Sequence, residues 1–212
     1  MEFESANPSV VRSIKQRVLL NAWLRARHEP ASLPTVADFK PDGLADELAD
    51  MMAFDVEGAG ESARFFITQE GWRLAAAYGH EALDPAARIN RYLDAAIDAV
   101  RYARVLPCYM TCVARKRPTY SIASVRDEDG KDVSFERLLL PFGSGDSVER
   151  IIGSYKAISI EGGFKVENLM GLRADTRPVR LLNAVVDQEL ARRPPGMRVS
   201  DDTVEADCDM RS

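Results

Sequence analysis

Apolar residues along this chain follow two rhythms, one near 3.6 residues and one of two, and the order in which they alternate predicts an α+β fold. Residues 8–27 contain no glycine, and Pro30 and Pro34 end the pattern. At about 100° per residue, Val11, Ile14, Val18 and Ala22 fall on one side of a helix, while Leu20, Trp23 and Leu24 fall on the other. A helix on a monomer surface needs only one apolar stripe. The second stripe therefore implies either burial within the chain's own fold or a contact with a partner, such as a second copy. Pro41, Leu44, Leu48 and Met51 predict a short helix that starts at proline.

Residues 52–56 and 64–68 predict strands, and the polar, glycine-containing stretch 57–61 predicts a hairpin loop between them. A helix over 71–78 stops at Gly79. Asp84 as N-cap and Pro85 as first residue open a longer helix, with Ile89, Leu93, Ala96, Ile97 and Val100 on one face. Pro107 interrupts it, and a second helix resumes over 109–117 until Pro118. Three strands follow, over 120–127, 133–141 and 147–159, with turns at Asp129-Gly130 and over 143–146. Hairpin succession makes such strands antiparallel, and grouped helices cover one face. The expectation is a five-stranded antiparallel sheet with helices on one face and a hollow between the layers. Beyond the linker Glu161-Gly162-Gly163, residues 176–191 predict a helix striped by Val179, Leu182, Val186 and Leu190. The chain thus divides into an N-terminal helix (1–30), a central domain (31–160) and a C-terminal extension (161–212).

Composition adds limits. The 212 residues are 46% hydrophobic and 29% charged, an ordinary balance for a globular chain. No apolar run is long enough to span a membrane, and the acidic N-terminus does not fit a signal peptide, so a cytoplasmic protein is expected. The net charge of −5 is concentrated in residues 200–212, where five acids face one arginine. That stretch is expected to be disordered. No clustered basic excess points to nucleic acid. Three cysteines, an odd number, do not suggest a disulfide framework.

Several short sequences resemble a PAS-like domain family of alphaproteobacteria, often described only as a domain of unknown function. They are Leu33-Pro34, Ala37-Asp38-Phe39 with Pro41, Phe54-Asp55-Val56 and Ala77-Tyr78-Gly79. Further on come Arg117-Pro118-Thr119-Tyr120, Glu136-Arg137-Leu138-Leu139-Leu140-Pro141 and Ile151-Ile152-Gly153. The resemblance spans about residues 33–159. It implies a signal-input module that binds a small ligand between sheet and helices, or that dimerises or contacts a signalling kinase. One departure stands out: where relatives carry an arginine leaving the second strand, this chain reads Phe66-Ile67-Thr68-Gln69-Glu70-Gly71. The pocket chemistry of that arginine is not carried over.

The chemistry-bearing residues are sparse. His28 and His80 are the two histidines, each read as an exposed or hydrogen-bonded loop residue. A haem ligand would be expected on the long helix, which has no histidine over 89–104. Cys108 and Cys112 lie four apart and face the same way on a helix, but no further ligands complete a zinc site, so inert core thiols are expected. Neither a serine-nucleophile elbow nor a phosphate loop is present, and no catalytic or metal residue is assigned. Phe66, Trp72, Tyr78, Leu93, Ile97, Tyr109, Tyr120, Leu138 and Leu140 fall on elements expected to border the hollow. They either line a pocket for a small organic ligand or fill the core. The pattern names no cofactor. The expected function is a non-enzymatic sensory or regulatory protein, as a homodimer or docked on a signalling kinase. The alternatives are a dimerising scaffold through Leu20, Trp23 and Leu24, or a hydrolase using His80.

Overall fold

The computed structural model describes residues 2–29, 32–77, 89–127, 129–159, 162–164 and 179–188. The expected residues Tyr78, His80, Asp84, Pro85 and Cys208 lie outside them, as does the acidic stretch 200–212. In chain order the elements are β1 (Glu4–Ala6), α1 (Ile14–Ala26), α2 (Leu44–Glu47), β2 (Met51–Glu57), β3 (Arg64–Glu70) and α3 (Trp72–Ala77). Then come β4 (Arg91–Tyr92), α4 (Leu93–Ala96), α5 (Ala99–Arg115), β5 (Thr119–Arg126), β6 (Asp132–Phe142), β7 (Arg150–Ile158) and β8 (Val179–Val186).

The fold is α+β, with one sheet in the order β1-β8-β5-β6-β7-β2-β3-β4. All neighbours are antiparallel except β1 and β8, which run parallel. The five strands read from the sequence are present and adjacent, but among the described residues the sheet has eight strands rather than five. The largest addition is β8, where a helix over 176–191 was expected. Its Val-Arg-Leu-Leu-Asn-Ala-Val-Val run suits a strand as well as a helical stripe, and the open edge of β5 decides between them. Tertiary pairing outweighs the local period.

The long helix also departs from expectation. Asn90 turns the chain through a left-handed conformation, and Arg91–Tyr92 pairs with β3 before α4 begins. Asp98 then accepts hydrogen bonds from the Val100 and Arg101 amides and starts α5 afresh. Helix α5 runs through Pro107 instead of breaking there. Proline removes one intrahelical hydrogen bond, that to the Ala103 carbonyl. The Arg180 guanidinium donates to the neighbouring Arg104 carbonyl.

Helices cover both faces of the sheet, where the sequence pattern predicts one. On one face α5 buries Cys108, Tyr109 and Cys112 against Phe54, Phe65, Leu139, Ile151 and Tyr155. On the other, α1 buries Leu19, Leu20 and Trp23 against Tyr120, Ile122, Leu138 and Leu140. The second apolar stripe of α1 is thereby explained: Leu20 and Trp23 are buried within the chain, and Leu24 packs at the rim of that core. They cannot serve as an exposed dimer seam while α1 is seated. Ile14, assigned to the opposite stripe, is 72% exposed.

Trp23 fixes α1 in register. It is fully buried, and its indole N–H donates to the Pro141 carbonyl at 2.7 Å. Trp23→Phe should therefore cost about 1–3 kcal/mol by leaving that carbonyl unpaired, and Trp23→Ala about 3–5 kcal/mol. Urea titrations followed by far-UV circular dichroism check both values.

Candidate functional site

Between α5 and the sheet, where the hollow is expected, aromatic side chains of the described residues pack against one another. Tyr109 reaches down from α5 to place its hydroxyl 2.6 Å from that of Tyr155 on β7. Phe54 meets the Tyr109 ring edge-on and Phe65 meets it at a tilt, with centroids 5.1 Å away in each case. Phe135 flanks the Tyr155 ring at 6.2 Å. This geometry depends on Gly153, two residues before Tyr155 on the same side of the strand. A Cβ there would lie 2.7 Å from the Tyr155 hydroxyl oxygen. Only glycine lets the phenol lie back along β7 to meet Tyr109. The Ile-Ile-Gly sequence at 151–153 thus has a local packing reason.

Tyr78 lies outside the described residues, and the other eight expected lining residues do not all gather here. Leu93 and Tyr109 are buried on the α5 face, and Ile97 packs against that core. Tyr120, Leu138 and Leu140 point to the opposite face and pack under α1. Phe66 pairs its ring with Tyr92 at 5.3 Å on the edge of the sheet. Trp72 is 68% exposed. The period-2 rule explains the split: Leu138 and Leu140 share one face of β6, whereas Leu139 belongs to the other. Both faces of β6 are apolar, so the sequence gives no sign of which set borders α5.

Cys108 and Cys112 do share a face and are both buried. The Arg137 guanidinium approaches the Cys108 sulfur at 3.5 Å, and that of Arg180 at 4.0 Å. Burial pushes the Cys112 thiol far above its usual range. His28 is loosely paired with Asp38 at 3.6 Å on the surface.

Two polar assemblies lie one under α1 and one beside it at α2, and neither was singled out from the sequence. In the first, the buried Glu136 carboxylate accepts from the Tyr120 hydroxyl at 2.7 Å and from the Ser13 amide at 3.3 Å. The Arg12 amide donates to the same Tyr120 oxygen at 3.1 Å. Burial, reinforced by Glu136, raises the Tyr120 phenol well above its ordinary value. Gln16, also buried, donates to the Ser154 carbonyl at 2.9 Å. In the second assembly, Lys156 bridges Glu47 at 2.6 Å and Asp50 at 2.7 Å. Lys15 adds a 2.8 Å ion pair to Glu47, and Arg73 a 3.0 Å pair to Asp50. A charged pair set between apolar strand residues, Glu136-Arg137 between Phe135 and Leu138, is the signal that could have revealed the first.

An open groove of about 390 Å³ lies elsewhere, where residues 35–36 meet the β6–β7 turn. Phe142 forms part of its lining, with Asp55, Ser144, Glu149 and Arg150 around it. Arg150 clamps Asp55 through two nitrogens at 2.8 and 2.7 Å, and the Ser144 hydroxyl donates to Glu149 at 2.6 Å. The polar groups of this groove already satisfy one another. No group of three or more His, Cys, Asp or Glu side chains suited to a metal occurs among the described residues.

Compared with known proteins, the chain matches no family model and no curated relative. No helix among the described residues is long and apolar enough to cross a membrane.

Two measurements follow from this geometry. Cys108 and Cys112 should remain unmodified by a maleimide in the native protein and react fully in denaturant, with mass spectrometry locating each adduct. Glu47 carries a pH dependence. Burial alone would raise its carboxyl, but hydrogen bonds and charges from Lys15 and Lys156 outweigh this and hold it below the ordinary range. A folded value below the unfolded one stabilises the protein above the unfolded carboxylate value of about 4.3. That stabilisation is lost as pH falls through the folded value. Glu47→Gln should therefore cost about 3 kcal/mol at neutral pH. The gap from wild type should narrow steadily below about pH 4, as read from urea midpoints across the acid range.

Proposed function

We propose that this chain is a non-enzymatic, PAS-like regulatory module that works by contacting another protein rather than by enclosing a ligand. Two observations support the PAS-like reading. The five strands read from the sequence lie side by side within the sheet, and the family-like residues Gly153, Leu139 and Phe54 meet around one helix-covered core. The observation that carries the choice of docking over ligand sensing is the Tyr109–Tyr155 hydroxyl pair with its aromatic surround. A ligand of drug size needs a pocket of roughly 300 Å³ or more, and here the chain's own rings occupy the region between sheet and α5. The module then presents a rigid outer surface to its partner. A signalling kinase suits that role, and a homodimer would have to form through a surface other than the seated Leu20 and Trp23. Cytoplasmic action belongs to the same reading.

The test is whether the fold needs a passenger. The purified full chain should show only its own mass by native mass spectrometry. After complete unfolding, dialysis and refolding it should recover its original Tm. A refolded Tm several degrees lower, restored by a small-molecule extract of the native protein, would overturn the docking reading in favour of ligand sensing.

A further inference from the structure

The outer face of α1 is cationic. Between residues 10 and 27 the chain has five lysines and arginines and no acid. The inner face of the helix carries Gln16, Leu19, Leu20 and Trp23, all buried, so the charges are driven outward. Ile14, Arg17, Asn21 and Arg25 follow one another at three- and four-residue steps and are all exposed. Arg12 and Lys15 extend the patch at its N-terminal end. Lys15 is paired with Glu47, whereas Arg12, Arg17 and Arg25 make no ion pair with a described residue. Ile14 adds one apolar contact at the head of the stripe. Such a surface fits a carboxylate-rich polypeptide with a few apolar side chains.

The chain supplies one. Residues 200–212 hold Asp201, Asp202, Glu205, Asp207 and Asp209 against Arg211 alone, interspersed with Val204 and Met210. Strand β8 ends beside the segment that enters α1. The Asp187 amide donates to the Ala6 carbonyl at 2.7 Å, and Ala6 precedes the turn that enters α1. The stretch from residue 188 to Asp201 can span about 40 Å when extended. Helix α1, with its 13 residues, is only about 20 Å long. Exposed charge pairs are individually weak, but a short tether keeps the segment at an effective concentration near the millimolar range.

We propose that the cationic outer face of α1 is a docking surface for acidic polypeptide, and that in this chain its occupant is the acidic segment 200–212. The contact is electrostatic, so it loosens with salt. An acidic partner must displace the segment to use the same face. This assignment is independent of the PAS-like reading.

Cys208 provides the probe, because it lies within the acidic segment and the other two cysteines are buried. A nitroxide on Cys208 of the full chain should broaden the amide signals of Arg17, Asn21 and Arg25 in an NMR spectrum. The effect should exceed that at the exposed α5 residue Ala103 by about fivefold at low salt. It should fall to the Ala103 level in 0.5 M sodium chloride or in an Arg17→Glu, Arg25→Glu double variant. Those substitutions lie on the solvent side of α1, so circular dichroism should be unchanged. Equal broadening at α1 and Ala103 at low salt would overturn the proposal. So would α1 broadening only in isotopically labelled chains mixed with spin-labelled ones, which would make the occupant a second copy.

Discussion

Strand β6 must be covered on both sides, and the architecture follows from that constraint. Its Leu138 and Leu140 side chains project to one face, Leu139 to the other, and all three are buried. A sheet with one apolar face can leave the other in water; a sheet with two needs two layers. Helix α5 supplies one layer and α1 the other. The N-terminal helix is thus no appendage to a central domain. It closes the second core, and Trp23 ties it to the chain at Pro141.

The two covers are held differently. Under α5 the contact is aromatic, with the Tyr109–Tyr155 hydroxyl pair set among phenyl rings. Under α1 an apolar half built on Leu19, Leu20 and Trp23 gives way to a polar half built on Glu136, Tyr120 and Gln16. The polar half fixes where the helix begins, because the Glu136 carboxylate accepts the Ser13 amide at the helix N-cap. Lys156, Glu47 and Asp50 extend the same theme to the short helix beside it. Removing one partner from buried charges of this kind leaves the other uncompensated, which is costly.

Strand existence was legible because β2, β3, β5, β6 and β7 are bounded by turn residues and are rich in β-branched and aromatic side chains. Which face a residue serves was not legible. On β6 both faces carry leucines, so Leu138, Leu140 and Tyr120 were assigned to the wrong core. The strand β8 was hidden by a coincidence of period: Val179, Leu182 and Val186 suit a helix until the open edge of β5 is known. Helix α5 was misplaced by strand pairing at Arg91–Tyr92, a contact remote in sequence from the helical signal that it interrupts. The charged patch on α1 emerges only once the inner face of the helix is known.

The parallel pairing of β1 with β8 has a consequence for how the molecule is made. Glu4 registers with Ala184, so β1 finds its neighbour only after β2, β3, β5, β6 and β7 have all been synthesised. Until then β5 has an open edge, and the three residues of β1 have no partner in the sheet. Contacts so distant along the chain form late and slowly. The nascent protein therefore passes through a state in which the α5 core can assemble while one margin of the sheet is still unsealed, and that margin is where strand exchange between nascent chains would start.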